Sequence, residues 1–242
     1  MSSTSDRLPP QVALGEERGF WGAAMAILRK DLLAEWRTKE RLSTMVFFVL
    51  LTLLVFNFSF ELGGSALHQI GPGVLWSAFV FASLFGLHRT FAAEQENNCI
   101  DALLVAPINR GALYLGKMVG NLLFLLMVEL LTLPFFALFF NLSLQTYLLP
   151  LLGVFALGAG CLSAVGTLFA AMCGNLRLRE LLLPLLLLPM VAPVIISCVG
   201  TTSMIFQERN PEEYLPYLRI LGVYCVVFST LSLILFDHVV EE

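Results

Sequence analysis

Six stretches of the chain are almost entirely apolar and are separated by shorter polar segments. A helix needs about 20 mainly apolar residues to cross the roughly 30 Å hydrocarbon core of a bilayer. Membrane β-barrels, the other spanning architecture, alternate polar and apolar positions, whereas these runs are continuously apolar. The pattern therefore predicts an all-α integral membrane protein with six transmembrane helices. The predicted spans are residues 44–60, 74–91, 118–140, 148–173, 181–204 and 217–236.

A polar segment, EQENNCIDALLVAPINR at 94–110, lies between the second and third spans. As a helix from about Ala92, it carries apolar residues on one side and acids on the others. Pro107 ends this helix, because proline lacks an N–H and disfavours a helical residue before it. The segment predicts a short cytoplasmic helix that covers another surface with its apolar side, although a solvated connector is the plainer alternative. The apolar residues are Ile100, Leu103 and Leu104, and the acids are Glu94, Glu96 and Asp101.

A second amphipathic segment precedes the first span. Its apolar residues recur every four positions, while charged residues such as Arg29 and Glu35 occupy the other faces. This pattern predicts an N-terminal helix lying in the headgroup plane, and a simple membrane anchor is its plainest role. Residues 1–19 are polar and contain proline, which predicts a flexible tail and leaves 20–242 as one membrane domain. The apolar positions are Phe20, Ala24, Leu28, Leu32 and Trp36.

Composition and charge support the membrane assignment and orient the chain. Hydrophobic residues make up 58% and charged residues 13%, with a mean hydropathy of +0.83, far more apolar than a soluble domain. With the N-terminus inside, only Arg209 and Arg219 of the 14 Lys and Arg fall outside, which predicts that both termini are cytoplasmic. The first apolar run continues as a full span, so no cleavable signal peptide is expected. The net charge of −4 gives no support to nucleic-acid binding.

Few residues offer chemistry of their own. The five cysteines are scattered without metal-like spacing and are interpreted as small buried apolar residues. His68, in the predicted first external loop, is a weak candidate for a haem or metal contact, because one histidine lacks the partners of a closed site. Glu129 is the one acid deep in a span, about twelve residues or roughly 18 Å beyond Lys117. An intramembrane carboxylate is a functional candidate, with a protonated or locally hydrogen-bonded structural residue as the alternative.

The sequence GALYLGKM at 111–118 matches GxxxxGK, the first seven positions of a phosphate-binding P-loop. That motif requires Ser or Thr next, a strand before it and a helix after it. Here Met118 follows, no strand precedes, and the third span starts at once. The match is therefore interpreted as chance, and the chain itself is not expected to bind ATP or act as an enzyme.

Several segments resemble a known family. HRTFAAEQENNCIDALLVAPINRGALYLGKMVGN is similar to the loop between spans two and three of type-2 ABC exporter permeases. GPGVLWSAFVFASLFGLHRTF (71–91), VELLTLPFFALFF (128–140), APINRGALYLGK (106–117) and GTLFAAMCGNLRLRELLLPLLLLPMVAPVII (166–196) more narrowly resemble the CcmB family, the haem exporter B subunit of cytochrome c maturation. The resemblance runs from about Leu28 to the last span.

The resemblance implies a permease subunit of an ABC-type complex in the bacterial inner membrane. It implies an ATPase partner of the CcmA type, which would bind ATP and Mg²⁺, a haem-handling membrane partner of the CcmC type and a haem chaperone of the CcmE type. It also allows a homodimer. Haem would be the transported or handled ligand. The segment between spans two and three would be a coupling helix that docks on the ATPase through Glu94, Glu96, Ile100, Asp101, Leu103, Leu104 and Pro107.

Two other functions stay open at this point. One is a permease of a different type-2 ABC exporter, for a lipid, a drug or a polysaccharide. The other is a secondary transporter or channel without an ATPase, which would leave the coupling-like helix unexplained and would call for more intramembrane charge than Glu129 alone.

Overall fold

The computed structural model describes residues 19–60, 65–91, 110–140, 144–174 and 178–239, and these residues form seven helices without a strand. Long apolar sequences favour helices in a membrane, because a helix satisfies its own backbone hydrogen bonds. The helices are α1 (Phe20–Thr38), α2 (Glu40–Phe60), α3 (Ser65–His88), α4 (Arg110–Phe139), α5 (Leu144–Gly174), α6 (Arg179–Phe206) and α7 (Pro211–Val239).

Six of these helices, α2 to α7, are long and apolar enough to cross a membrane, which confirms the six-helix all-α prediction. Each of these helices begins before its predicted span, but only α5, α6 and α7 also end beyond it, and α3 ends at His88, before the predicted residue 91. α2 begins at Glu40, ahead of the predicted residue 44, and α3 begins at Ser65. His68 consequently lies in the first turn of α3 and not in a loop. Hydropathy locates the apolar window, whereas backbone hydrogen bonding carries a helix past it into polar sequence.

The bundle has a buried centre and lipid-facing flanks. In the most apolar part of each span, the share that is buried inside the bundle is 72% for α3 and 56% for α5. The same share is only 17% for α2 and 11% for α7. α5 packs against α3, α4, α6 and α7. At the centre the rings of Trp76, Phe79 and Phe155 meet edge to face at centroid distances of 5.4 to 5.9 Å. The Trp76 indole Nε1 donates to Thr202 Oγ1 at 3.0 Å, which joins α3 to α6.

α1 lies against α4, and this contact corrects the simple picture of its apolar stripe. Ala24 and Ile27 are buried there, while Trp36 is 75% exposed. A Cβ added at Gly116 of α4 would lie 2.8 Å from the Ala24 carbonyl oxygen, so only glycine allows this approach. A four-residue repeat advances roughly 40° per step around a helix. The predicted stripe therefore winds from the α4 contact at Ala24 to the open side at Trp36.

A tight junction joins α1 to α2. Lys39 ends α1 in the left-handed conformation, with φ of 53°, and its backbone N–H donates to the Glu35 carbonyl oxygen at 2.6 Å. The Glu35 side-chain Oε1 then accepts from the Leu42 backbone N–H at 2.8 Å. This bond satisfies one of the free N–H groups at the start of α2. Glu35 thus fixes the direction in which the first membrane helix leaves α1.

Candidate functional site

One end of the bundle, here called the basic end, carries Arg41, Arg89, Arg110 and Lys117. α3 and α5 end there, α2 and α4 begin there, and α1 packs beside the start of α4. The last described residues after α3 and the start of α4 therefore both lie at this end. Its central part, residues 92–109, lies outside the described residues.

Lys117 is a buried cation in the second turn of α4. It is 3% exposed, and its Nζ lies 3.1 Å from Asp31 Oδ2 of α1. The same Nζ donates to the Thr90 carbonyl oxygen at 2.8 Å and lies 5.3 Å from the centre of the Phe91 ring. A buried ammonium requires such partners, because its lost hydration is otherwise uncompensated. Lys117 thus ties α1 and α4 to the last two described residues before 92–109.

Asn121 lies one turn further along the same face of α4 and is 1% exposed. Its Oδ1 accepts from Arg41 Nη2 of α2 at 2.6 Å and from Thr90 Oγ1 at 3.1 Å. Its Nδ2 donates to Thr167 Oγ1 of α5 at 2.7 Å. One amide therefore holds together α2, the end of α3, α4 and α5. We call Asp31, Arg41, Thr90, Lys117, Asn121 and Thr167 the basic-end network.

Arg41 reaches the network from the first turn of α2. It is buried, and its guanidinium carbon lies 4.5 Å from the centre of the Phe124 ring of α4, a cation–π geometry. Its Nε is buried without a hydrogen-bond partner among the described residues. A second, exposed ion pair joins Arg89 Nη2 to Glu40 Oε1 at 2.6 Å. The buried groups and the exposed pair together pin α2 to the end of α3.

The residues that the sequence analysis singled out lie in different parts of the structure. The predicted coupling residues Glu94, Glu96, Ile100, Asp101, Leu103, Leu104 and Pro107 all fall outside the described residues. Among the predicted interfacial residues, Leu28 and Leu32 are half-buried on α1, as is Phe20, whereas Trp36 is exposed. Glu129 lies in α4, buried far from the basic end.

Sequence reasoning did not single out Arg41 or Asn121, and it treated Lys117 only as the end of a loop motif. Their signal is a polar pair at four-residue spacing, Lys117 and Asn121, at the start of a long apolar run. Positions three or four apart share one face of a helix. That spacing points to a polar stripe inside the bundle, and only the packing of α1 shows what it contacts.

The GxxxxGK match at 111–118 lies entirely inside α4. A phosphate-binding loop needs free backbone N–H groups in a turn before a helix, whereas these are helical residues, and Gly116 is packed against α1. Within the described ranges, no group of three or more His, Cys, Asp and Glu is arranged to hold a metal ion.

Comparison with known proteins adds a family to this geometry. The model of the family described as CcmB protein matches residues 22–241. The chain is 32% identical over 171 residues to Heme exporter protein B of Rhodobacter capsulatus, covering 71% of this chain and 78% of that one. It is 27% identical over 210 residues to Heme exporter protein B of Pseudomonas aeruginosa, covering 87% and 93% of the two chains. For the Haemophilus influenzae protein of the same name, the identity is 26% over 208 residues.

Proposed function

The chain belongs to the CcmB family, and on that premise we propose that it is the membrane permease subunit of an ABC-type exporter acting in cytochrome c maturation. The observation that carries this proposal is the family match, which reaches from α1 to the end of α7. Haem is the cargo or the handled ligand, as the name of the relatives suggests. The permease either exports haem or uses ATP-driven motion to release a haem-loaded chaperone outside.

ATP hydrolysis in this proposal belongs to a separate ATPase subunit of the CcmA type. The helical state of the GxxxxGK residues in α4 supports this division. A membrane partner of the CcmC type and a chaperone of the CcmE type would receive the haem, and two copies of the permease would face two ATPase subunits. The concentration of Lys and Arg at the basic end supports placing that end, with both termini, on the cytoplasmic side of a bacterial inner membrane.

The segment 94–107 is the proposed ATPase-coupling element. Its apolar residues Ile100, Leu103 and Leu104 would fill a cleft on the ATPase, while Glu94, Glu96 and Asp101 would meet basic residues at the rim. Apolar anchors carry most of the affinity in such contacts, and rim charges mainly set approach and register.

The basic-end network supports this role because it contacts the residues on both sides of the segment. Thr90 and Phe91 contact Lys117 just before residue 92, and Lys117 itself follows residue 109 by two turns of α4. Asn121 joins the same Thr90 to α2 and α5. A push on the segment would therefore move several helices together and not only bend a loop.

A haem stain for covalently attached c-type cytochromes tests the proposal in cells that lack this protein. We expect the stain to be lost, restored by the wild-type chain, and not restored by Leu103→Asp/Leu104→Asp that inserts normally in the membrane. Glu96→Gln is the matched control and should restore most of the stain, because it changes a rim charge. Normal stain in the deletion strain would contradict the cytochrome role and leave a permease of another exporter.

A further inference from the structure

Glu129 is buried in the interior of α4 without a visible partner. It is 2% exposed, and its Oε2 is buried with no hydrogen-bond donor among the described residues. Leu125, Val128 and Leu133, which flank it on α4, are buried apolar residues. Oε2 has thus lost its water, and the described part of the chain offers it no donor in return.

Nearby polar groups are committed elsewhere. The Thr132 hydroxyl, one turn along α4, donates to the Val128 carbonyl oxygen at 2.7 Å and lies 3.3 Å from that of Glu129. The Trp76 indole donates to Thr202. Cys198 of α6 lies near the Glu129 carboxyl, but a thiol is a weak donor and carries no positive charge.

Among the described residues, none of the helices around α4 forms an ion pair with Glu129. Asp31 of α1, Arg41 of α2 and His88 of α3 lie at the basic end, and Glu212 and Glu213 lie in the first turn of α7 at the opposite end. Arg219 lies further along α7, but its side chain is exposed and Glu129 Oε2 accepts no hydrogen bond from it. Apart from Glu212, Glu213 and Arg219, the described titratable groups inside the spans of α5, α6 and α7 are thiols and phenols. These are Tyr147, Cys161 and Cys173 of α5, Cys198 of α6, and Tyr214, Tyr217, Tyr224 and Cys225 of α7.

An ionised carboxylate in this place would be a buried charge without a partner, which is strongly unfavourable because the lost hydration is not replaced. We propose that Glu129 is an internal proton-binding site, loaded with its proton in this conformation, whose proton leaves only when α4 moves and water reaches Oε2. This inference rests on the burial of Glu129 and not on the cargo or partners of the permease.

Carbodiimide labelling of the full chain in membranes tests the proposal. The O–H of a protonated carboxyl adds across a C=N bond of the reagent and gives an O-acylurea that rearranges to a stable N-acylurea, with no leaving group and no oxidant. We expect dicyclohexylcarbodiimide to label Glu129 at neutral pH and a water-soluble carbodiimide to leave it unlabelled. Labelling should be lost in Glu129→Gln and retained in Glu40→Gln, a matched change at an exposed acid.

Two labelling results would overturn the proposal. One is an unlabelled Glu129 with the hydrophobic reagent, and the other is equal labelling by the water-soluble reagent, which would show that water already reaches the carboxyl. Infrared spectroscopy gives a readout that does not depend on reagent access. The wild-type chain should show a protonated-carboxyl carbonyl band that disappears in Glu129→Gln, and a carboxylate band in its place would contradict a loaded site.

Discussion

Lys117 and Glu129 are two buried ionisable residues on the same helix, about twelve residues or roughly 18 Å apart, and their surroundings differ completely. Lys117 has a carboxylate, a carbonyl oxygen and an aromatic ring around its ammonium. Glu129 has an oxygen with no donor among the described residues. The comparison teaches that burial alone does not assign a role. A charge with full partners fixes a structure, whereas an acid without them holds a proton that it can release.

The largest effect is expected from a change that leaves the buried Lys117 ammonium without its partner, as Glu129 is. Asp31→Asn removes the negative partner and leaves a buried ammonium, so we expect a loss of about 3 kcal/mol of unfolding free energy. Unfolding in mixed detergent micelles measures it. Lys30→Gln is the control, because Lys30 pairs with the same Asp31 at 3.2 Å but is exposed. A loss as large in the control would show that Asp31 acts through surface charge and not through Lys117.

The second change tests whether the basic-end network acts through one amide. Asn121→Leu keeps the size of the side chain but leaves Arg41, Thr90 and Thr167 without their shared partner. We expect a loss of about 2 kcal/mol, because buried polar groups would stay unsatisfied. Thr167→Val removes only one of the three bonds and should cost about 1 kcal/mol. The two losses of unfolding free energy are measured in the same micelles. Equal losses would show that Asn121 does not hold the network together through all three bonds.

The smallest effect is expected where the pair is exposed. Glu40→Gln removes the ion pair with Arg89, whose 2.6 Å separation is the shortest of those described here. Both side chains are in contact with solvent, so we expect the smallest loss of unfolding free energy among these changes. The same unfolding experiment at low and high salt checks this, since screening affects exposed pairs most. A loss comparable to that of Asp31→Asn would mean that the distance between the charged atoms, and not their burial, determines how much an ion pair stabilises the fold.

The sequence was sufficient for the helices and insufficient for their contacts. Unbroken apolar runs predict six spans because the bilayer imposes one length on every helix. The direction of a side chain around α1 or α4 depends on the neighbouring helix, which hydropathy does not reveal. Asn121 therefore passed unnoticed, and Trp36 was assigned to the same side as Ala24. Glu129 was noticed because an acid in a span is conspicuous, but its lack of a donor is visible only in the fold.

The length of α4 has a mechanical consequence. Its 30 residues extend about 45 Å, which exceeds a hydrocarbon core of roughly 30 Å. The surplus is accommodated by tilt or by projection into the headgroup layer. Since Lys117 lies two turns from the start of α4, its depth changes with bilayer thickness. In a thicker membrane the ion pair with Asp31 would lie closer to the hydrocarbon, and in a thinner one it would lie closer to water. Lipid composition would thereby change the surroundings of the contact between α1 and α4.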